Sequence, residues 1–102
     1  MNNLTNDELD ILEYNISNLS PMFFIQLNIG LKADIKMKAF RKFLLYGYFI
    51  LTDANNNLII YNEDITDLII ESNLLSLTHA GMDRLKQYRV IKYSNNNPFC
   101  LL

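Results

Sequence analysis

Between Ala33 and Leu51 the sequence changes its period, and that change constrains the fold more than any other feature. Ala33, Met37, Phe40, Phe43 and Leu44 recur at three- and four-residue spacing, with Asp34, Lys38, Arg41 and Lys42 falling on the other side. The spacing predicts a helix over 33–45 with one apolar face. Gly47 then supplies the left-handed residue that ends such a helix. Tyr48-Phe49-Ile50-Leu51 follows at once, and a polar turn over 52–57 leads to Leu58-Ile59-Ile60-Tyr61. Residues 48–61 therefore read as a β-hairpin. The class is α+β, a single small domain of three to five helices with one or two hairpins.

The flanking segments fill in this outline. Thr5 followed by Glu8 makes a capping box, and Leu9, Leu12, Ile16 and Leu19 continue at helical spacing, which predicts a helix over 6–18. Ser20 caps and Pro21 opens a short helix through Met22, Phe23, Phe24, Ile25 and Leu27 that ends near Gly30. Residues 63–72 fit either a helix or a strand, with Asn62 and Asn73 as caps in favour of a short helix. Leu74–Leu77 reads as a strand. Thr78 caps a helix from His79 to about Tyr88, with Met82, Leu85 and Tyr88 inward. Val90–Tyr93 and Phe99–Leu102 flank Ser94–Pro98 as a second hairpin.

Chemistry of the obvious kinds is missing. The 102 residues are half hydrophobic and one-fifth charged, which suits one globular domain with a core of its own. Cys100 is the single cysteine and forms no internal disulfide, which points to a reducing compartment. No secretory leader is evident, and the apolar run from Phe43 to Leu51 falls far short of the roughly 20 residues of a membrane span. The chain is expected to be soluble and cytoplasmic, without a membrane partner. His79 stands alone, so no metal site is expected. Cys100 lies in Phe99-Cys100-Leu101-Leu102, where a buried inert thiol is a better reading than a nucleophile served by His79. With Gly30, Gly47 and Gly81 the only glycines, no phosphate-cradling loop exists and no cofactor is implied. Glu63, Asp64, Asp67 and Glu71 read as a solvated helix face. The expectation is a protein that binds and does not catalyse. Fourteen asparagines suggest an AT-rich genome of a phage, plasmid or low-GC bacterium.

The net charge of −2 hides a segregation. All nine basic residues fall in two windows. Lys32, Lys36, Lys38, Arg41 and Lys42 share the first with Asp34, and Arg84, Lys86, Arg89 and Lys92 hold the second without an acid, so each window carries +4. Residues 1–31 carry −4 and residues 43–83 carry −6. Local potential, and not net charge, governs contact with phosphate.

Two stretches resemble a known family. Ile29-Gly30-Leu31, Phe40 and Phe43, and Gly47-Tyr48-Phe49 sit where a winged helix-turn-helix places its turn, its recognition helix and the opening of its wing. Leu77-Thr78-His79-Ala80-Gly81 with Leu85 is similar to the L-T-x-x-G-x-x-x-L segment that closes the wing in MarR-like and related bacterial regulators. The resemblance implies a helix-turn-helix over about 21–45 and a wing over about 48–61. It also implies DNA contacts by Lys32, Lys36, Lys38, Arg41 and Lys42, with Asn55 and Asn56 at the wing tip. Double-stranded DNA is then the partner, and a homodimer is expected because one small domain reads few base pairs. The implied role is transcriptional or replication regulation. The alternative is a protein-interaction adaptor of mobile-element origin that docks a host protein through its acidic surface.

Overall fold

Thr5 and Glu8 close the capping box that starts the first helix. The Glu8 N–H donates to Thr5 Oγ1 at 3.1 Å and the Thr5 N–H donates to Glu8 Oε1 at 2.8 Å. Helix α1 (Asn6–Tyr14) follows and buries Leu9, Ile11 and Leu12. The structure, a computed structural model, describes residues 4–14, 21–27 and 32–96. Ile16, Leu19, Ser20, the proposed turn Ile29-Gly30-Leu31 and the terminal segment with Cys100 lie outside these residues.

Strand β1 (Met22–Phe23) leads into a single 3₁₀ turn, Phe24–Gln26. This corrects the expected short helix over 22–27. Met22 and Phe23 pair with Leu75 and Leu74, a partnership some fifty residues away in sequence that outweighs local spacing. Helix α2 (Ala33–Leu45) matches its predicted span and buries Met37, Phe40, Phe43 and Leu44, while Ala33 is exposed. Gly47 has φ +76°, the left-handed exit that lets the chain turn directly into β2 (Phe49–Thr52). Strand β3 (Leu58–Ile59) completes the hairpin.

Helix α3 (Asp67–Ser72) resolves the ambiguous stretch as a helix, but its cap is Thr66 and not Asn62: Thr66 Oγ1 accepts the Ile69 N–H at 3.2 Å. Asn62 instead accepts the Asp64 N–H in a turn of its own. Strand β4 (Leu74–Leu77) precedes α4 (His79–Asn96). The second predicted hairpin is a correction, because residues 90–93 continue α4. Val90 and Ile91 favour strands, yet neither glycine nor proline interrupts the chain between Met82 and Asn96.

The four strands form one antiparallel sheet in the order β1-β4-β2-β3. Directly opposed residues share a face, so the register assigns the two sides. Met22, Leu75, Leu77, Phe49, Leu51 and Ile59 pack inward against the helices. Phe23, Leu74, Ser76, Ile50, Thr52 and Leu58 point outward, and this face stays open: Phe23 is 42%, Ile50 40% and Leu58 60% exposed. Inside, Phe40 packs edge-on against Phe24, Phe43 and Phe49 at centroid distances of 5.9, 5.1 and 5.0 Å. Edge-to-face pairs of this kind add about 0.5–1.5 kcal/mol each beyond burial.

One threonine ties α4 back to the exit of α2. Thr78 Oγ1 donates to the Gly47 carbonyl at 2.6 Å and accepts the Gly81 N–H at 3.0 Å, while the Thr78 N–H donates to the Tyr48 carbonyl. The start of α4 is thereby tied to the exit of α2.

Candidate functional site

The solvent side of α2 is set by the same periodicity that builds the core. At roughly 100° per residue, Lys38 lies at the centre of the outward arc, with Arg41 toward one flank and Lys42 toward the other. Asp34, Ile35 and Leu45 share this arc. Lys38 and Lys32 are exposed and form no ion pair with a described residue.

Each flanking cation is braced by a different helix. Arg41 Nη2 and Nε donate to Asp67 Oδ1 on α3 at 2.5 and 3.0 Å, and Nη1 donates to the Tyr61 hydroxyl at 3.3 Å. These bonds from the guanidinium, to Asp67 above all, raise the Arg41 pKa further. Lys42 Nζ donates to Glu8 Oε1 on α1 at 3.0 Å. Burial pushes the Glu8 carboxyl up, but the Thr5 N–H and the Lys42 ammonium together hold it below its ordinary value. The two pairs differ in exposure. The Asp67 side chain is 62% exposed and Glu8 11%. An open pair like Arg41–Asp67 is worth about 0–1 kcal/mol, so Arg41 can exchange Asp67 for another anion. Lys42 is more firmly committed.

Lys36 lies elsewhere. It falls in the buried arc of α2, 8% exposed, where Nζ donates to the Phe24 carbonyl at 3.2 Å and sits 4.3 Å from the centre of the Phe24 ring. Burial lowers its pKa. It braces the 3₁₀ turn against α2 and is withdrawn from the outward strip. The turn expected to form a wing tip is held by an acid. Asn55 and Asn56 are exposed and Asn56 has φ +65°, but the turn is organised by Asp53. Its Oδ1 accepts the N–H groups of Asn55 and Asn57, both at 2.9 Å, and the Asn57 amide reaches Oδ2. The Asn57 N–H and its neighbours hold this carboxyl below the ordinary range. A fixed negative charge thus stands where a DNA-facing wing tip favours cations.

In the second basic window Arg89 pairs with Glu13 at 3.4 Å, and beside it the Tyr88 hydroxyl donates to Asp10 at 2.5 Å, so these two residues hold α4 against α1. Lys86 is exposed and Arg84 half-buried. Sequence reasoning missed Asp67 and Tyr61 as the groups that position Arg41, and no local signal marks them. Glu8 was visible as a cap but not as the partner of Lys42.

Together these features define a small α+β module in which α2 presents a cationic strip braced on both sides. Among the described residues no three metal-ligating side chains converge, and no helix is long and apolar enough to cross a membrane. No family model, curated protein or solved structure matches the chain.

Proposed function

We propose that this chain is a non-catalytic, winged-helix-like regulator that binds duplex DNA as a cytoplasmic homodimer, with α2 as its recognition helix. The observation that carries the reading is the strip of Lys38, Arg41 and Lys42 on the outward arc of α2, opposite a face fully anchored by Phe40 and Phe43. A helix held rigidly on one side and cationic on the other is what major-groove insertion requires. Lys32 stands exposed at the N-terminal end of α2, where the helix dipole favours phosphate. Two further features support it. Gly47 turns α2 directly into β2, and β4 runs straight into the Thr78-capped α4, as the L-T-x-x-G resemblance implies. The segment between β2 and β4 takes the place of a simple wing, with β3 and α3 built into it.

Fluorescence anisotropy with a random-sequence duplex at several salt concentrations tests this. Lys32 and Lys38 support no internal ion pair with a described residue, so Lys32→Glu/Lys38→Glu leaves the braces intact. Each lost phosphate contact removes about 0.9 from the slope of log affinity against log salt. The double variant should bind far more weakly, with a slope flatter by about two units. Parent-like binding by the variant would sink the reading.

A second reading, the protein-docking adaptor, is favoured by one specific observation. Residues 49–77 carry Asp53, Glu63, Asp64, Asp67 and Glu71 without a single cation. If the parent shows no salt-dependent duplex binding, this acidic tract becomes the working surface.

A further inference from the structure

The contact that braces Arg41 also occupies it. Nε and Nη2 both donate to one oxygen of Asp67, and Nη1 donates to the Tyr61 hydroxyl. The Nε–Nη2 edge is one by which arginine grips a carboxylate or a phosphate, so an oxyanion already sits there and it is the chain's own. Of the five guanidinium N–H groups, one on each terminal nitrogen is left over by the bonds to described residues. The Tyr61 oxygen accepts from Arg41, which leaves its own proton to donate. A phosphate that used only these remaining donors would lie against the Asp67 carboxylate, where like charges repel. Full engagement of Arg41 therefore requires Asp67 to move out.

Asp67 is free to do so. It is the more exposed partner of the pair, and it lies in the first turn of α3, whose cap is the neighbouring Thr66. Rotation of one surface side chain opens the contact and leaves the cap in place. The brace on the other flank differs, because Glu8 is nearly buried and is also held by the Thr5 N–H. Tethering nonetheless makes Asp67 a strong rival to small anions, since a linked group acts at a high local concentration. A duplex phosphate does not arrive alone. Lys38 precedes Arg41 by three residues, a spacing that makes them neighbours on α2, and it is exposed without an ion pair to a described residue. A backbone that contacts Lys38 presents a nearby phosphate to Arg41 at a comparable local concentration.

We propose that Asp67 is an internal competitor for a phosphate seat formed by Arg41 and Tyr61, closing it in the free protein and giving way to the duplex backbone. The inference deepens the duplex-binding reading above and rests on it. It assigns α3 a task in binding: its first residue sets how much of the cationic strip is open before DNA arrives.

The experiment is a double-mutant cycle read by fluorescence anisotropy with a random-sequence duplex: parent, Asp67→Asn, Arg41→Gln and the two combined. Asparagine keeps the shape and one accepting oxygen of Asp67 and removes its charge. Asp67→Ser is a second way to remove the charge, and urea denaturation checks that each variant is folded. Asp67→Asn should tighten duplex binding about two- to fivefold, the range that an exposed pair spans. Removing any acid near DNA raises affinity somewhat, so the cycle decides. The gain should be at least about twofold larger with Arg41 present than in the Arg41→Gln background. Parent-like binding by Asp67→Asn, or an equal gain in both backgrounds, overturns the competitor and leaves the duplex reading standing. Weaker binding by Asp67→Asn overturns it as well and makes Asp67 a positioning partner of Arg41. A parent without salt-dependent duplex binding overturns the duplex reading and this proposal with it.

Discussion

Replacing Gly81 with alanine tests how the closing helix is seated. Gly81 is buried in the first turn of α4, against the backbone of Tyr48. A methyl group there would fall on the Tyr48 carbonyl oxygen, well inside van der Waals contact, and 2.7 Å from Leu77 Cδ1. The leucine tip can rotate away, but the carbonyl cannot, because it accepts the Thr78 N–H at 3.0 Å. Relief therefore requires α4 to lift from the start of β2. Forced overpacking of this kind costs about 1–3 kcal/mol, and alanine returns at most about 1 kcal/mol of helix propensity. The expected net loss is about 1–2 kcal/mol, or a drop in Tm of several degrees in a domain of this size. Urea denaturation should show a lower midpoint with an unchanged slope. Gly47 provides the contrast, because nothing lies within 4 Å of a Cβ there and its φ is +76°. Asparagine, which tolerates left-handed backbone, should be accepted at Gly47 and rejected at Gly81. If Gly81→Ala is as stable as the parent, the close approach of α4 to Tyr48 is wrong.

Lys36→Met keeps the apolar stem and removes a charge that burial disfavours, so it should stabilise the fold by about 1 kcal/mol after loss of the bond to the Phe24 carbonyl. Because the folded pKa of Lys36 is lowered, the parent should gain stability as pH rises from that value toward the ordinary lysine range, and the variant should lack this alkaline gain in pH-dependent denaturation. Glu8 has the opposite signature. Its lowered folded pKa contributes stability that is fully present above the ordinary glutamate range and is lost as pH falls through the folded value. Glu8→Gln should cost about 1 kcal/mol at neutral pH and flatten the acid limb of the stability curve. An unchanged acid limb would mean that the Lys42 bridge contributes nothing.

What the sequence made legible follows its local signals. The bounds of α2, the glycine exit at Gly47, the Thr5–Glu8 box, the strand Leu74–Leu77 and the Thr78 cap all depend on residues within a few positions of one another. Each was found. The failures share a cause. Met22 and Phe23 look helical until their pairing with β4 is known, and Val90 and Ile91 look like a strand until α4 is seen to run on. The candidate site divides along the same line. That Lys38, Arg41 and Lys42 share a face is a matter of helical period. That Arg41 is held by Asp67, Lys42 by Glu8, and that Lys36 turns inward are consequences of packing between distant segments. The polar turn over 52–57 could be read from composition, but the hydrogen bonds that Asp53 accepts within it could not.

The strand order has a consequence for how the chain comes into being. In the sheet β4 lies between β1 and β2 and is the last strand among the described residues, while these neighbours precede it by some fifty and twenty-five residues. During synthesis the local hairpin of β2 and β3 can close early, but Leu75 and Leu77 reach the growing sheet only after that hairpin has been made. Until then Phe49 and Leu51 present an unzipped strand edge. The Thr78 hydroxyl, arriving directly behind β4, then fastens the new helix to the exit of α2. Because β4 pairs with both β1 and β2, any shortening that removes β4 removes the keystone and not merely an edge.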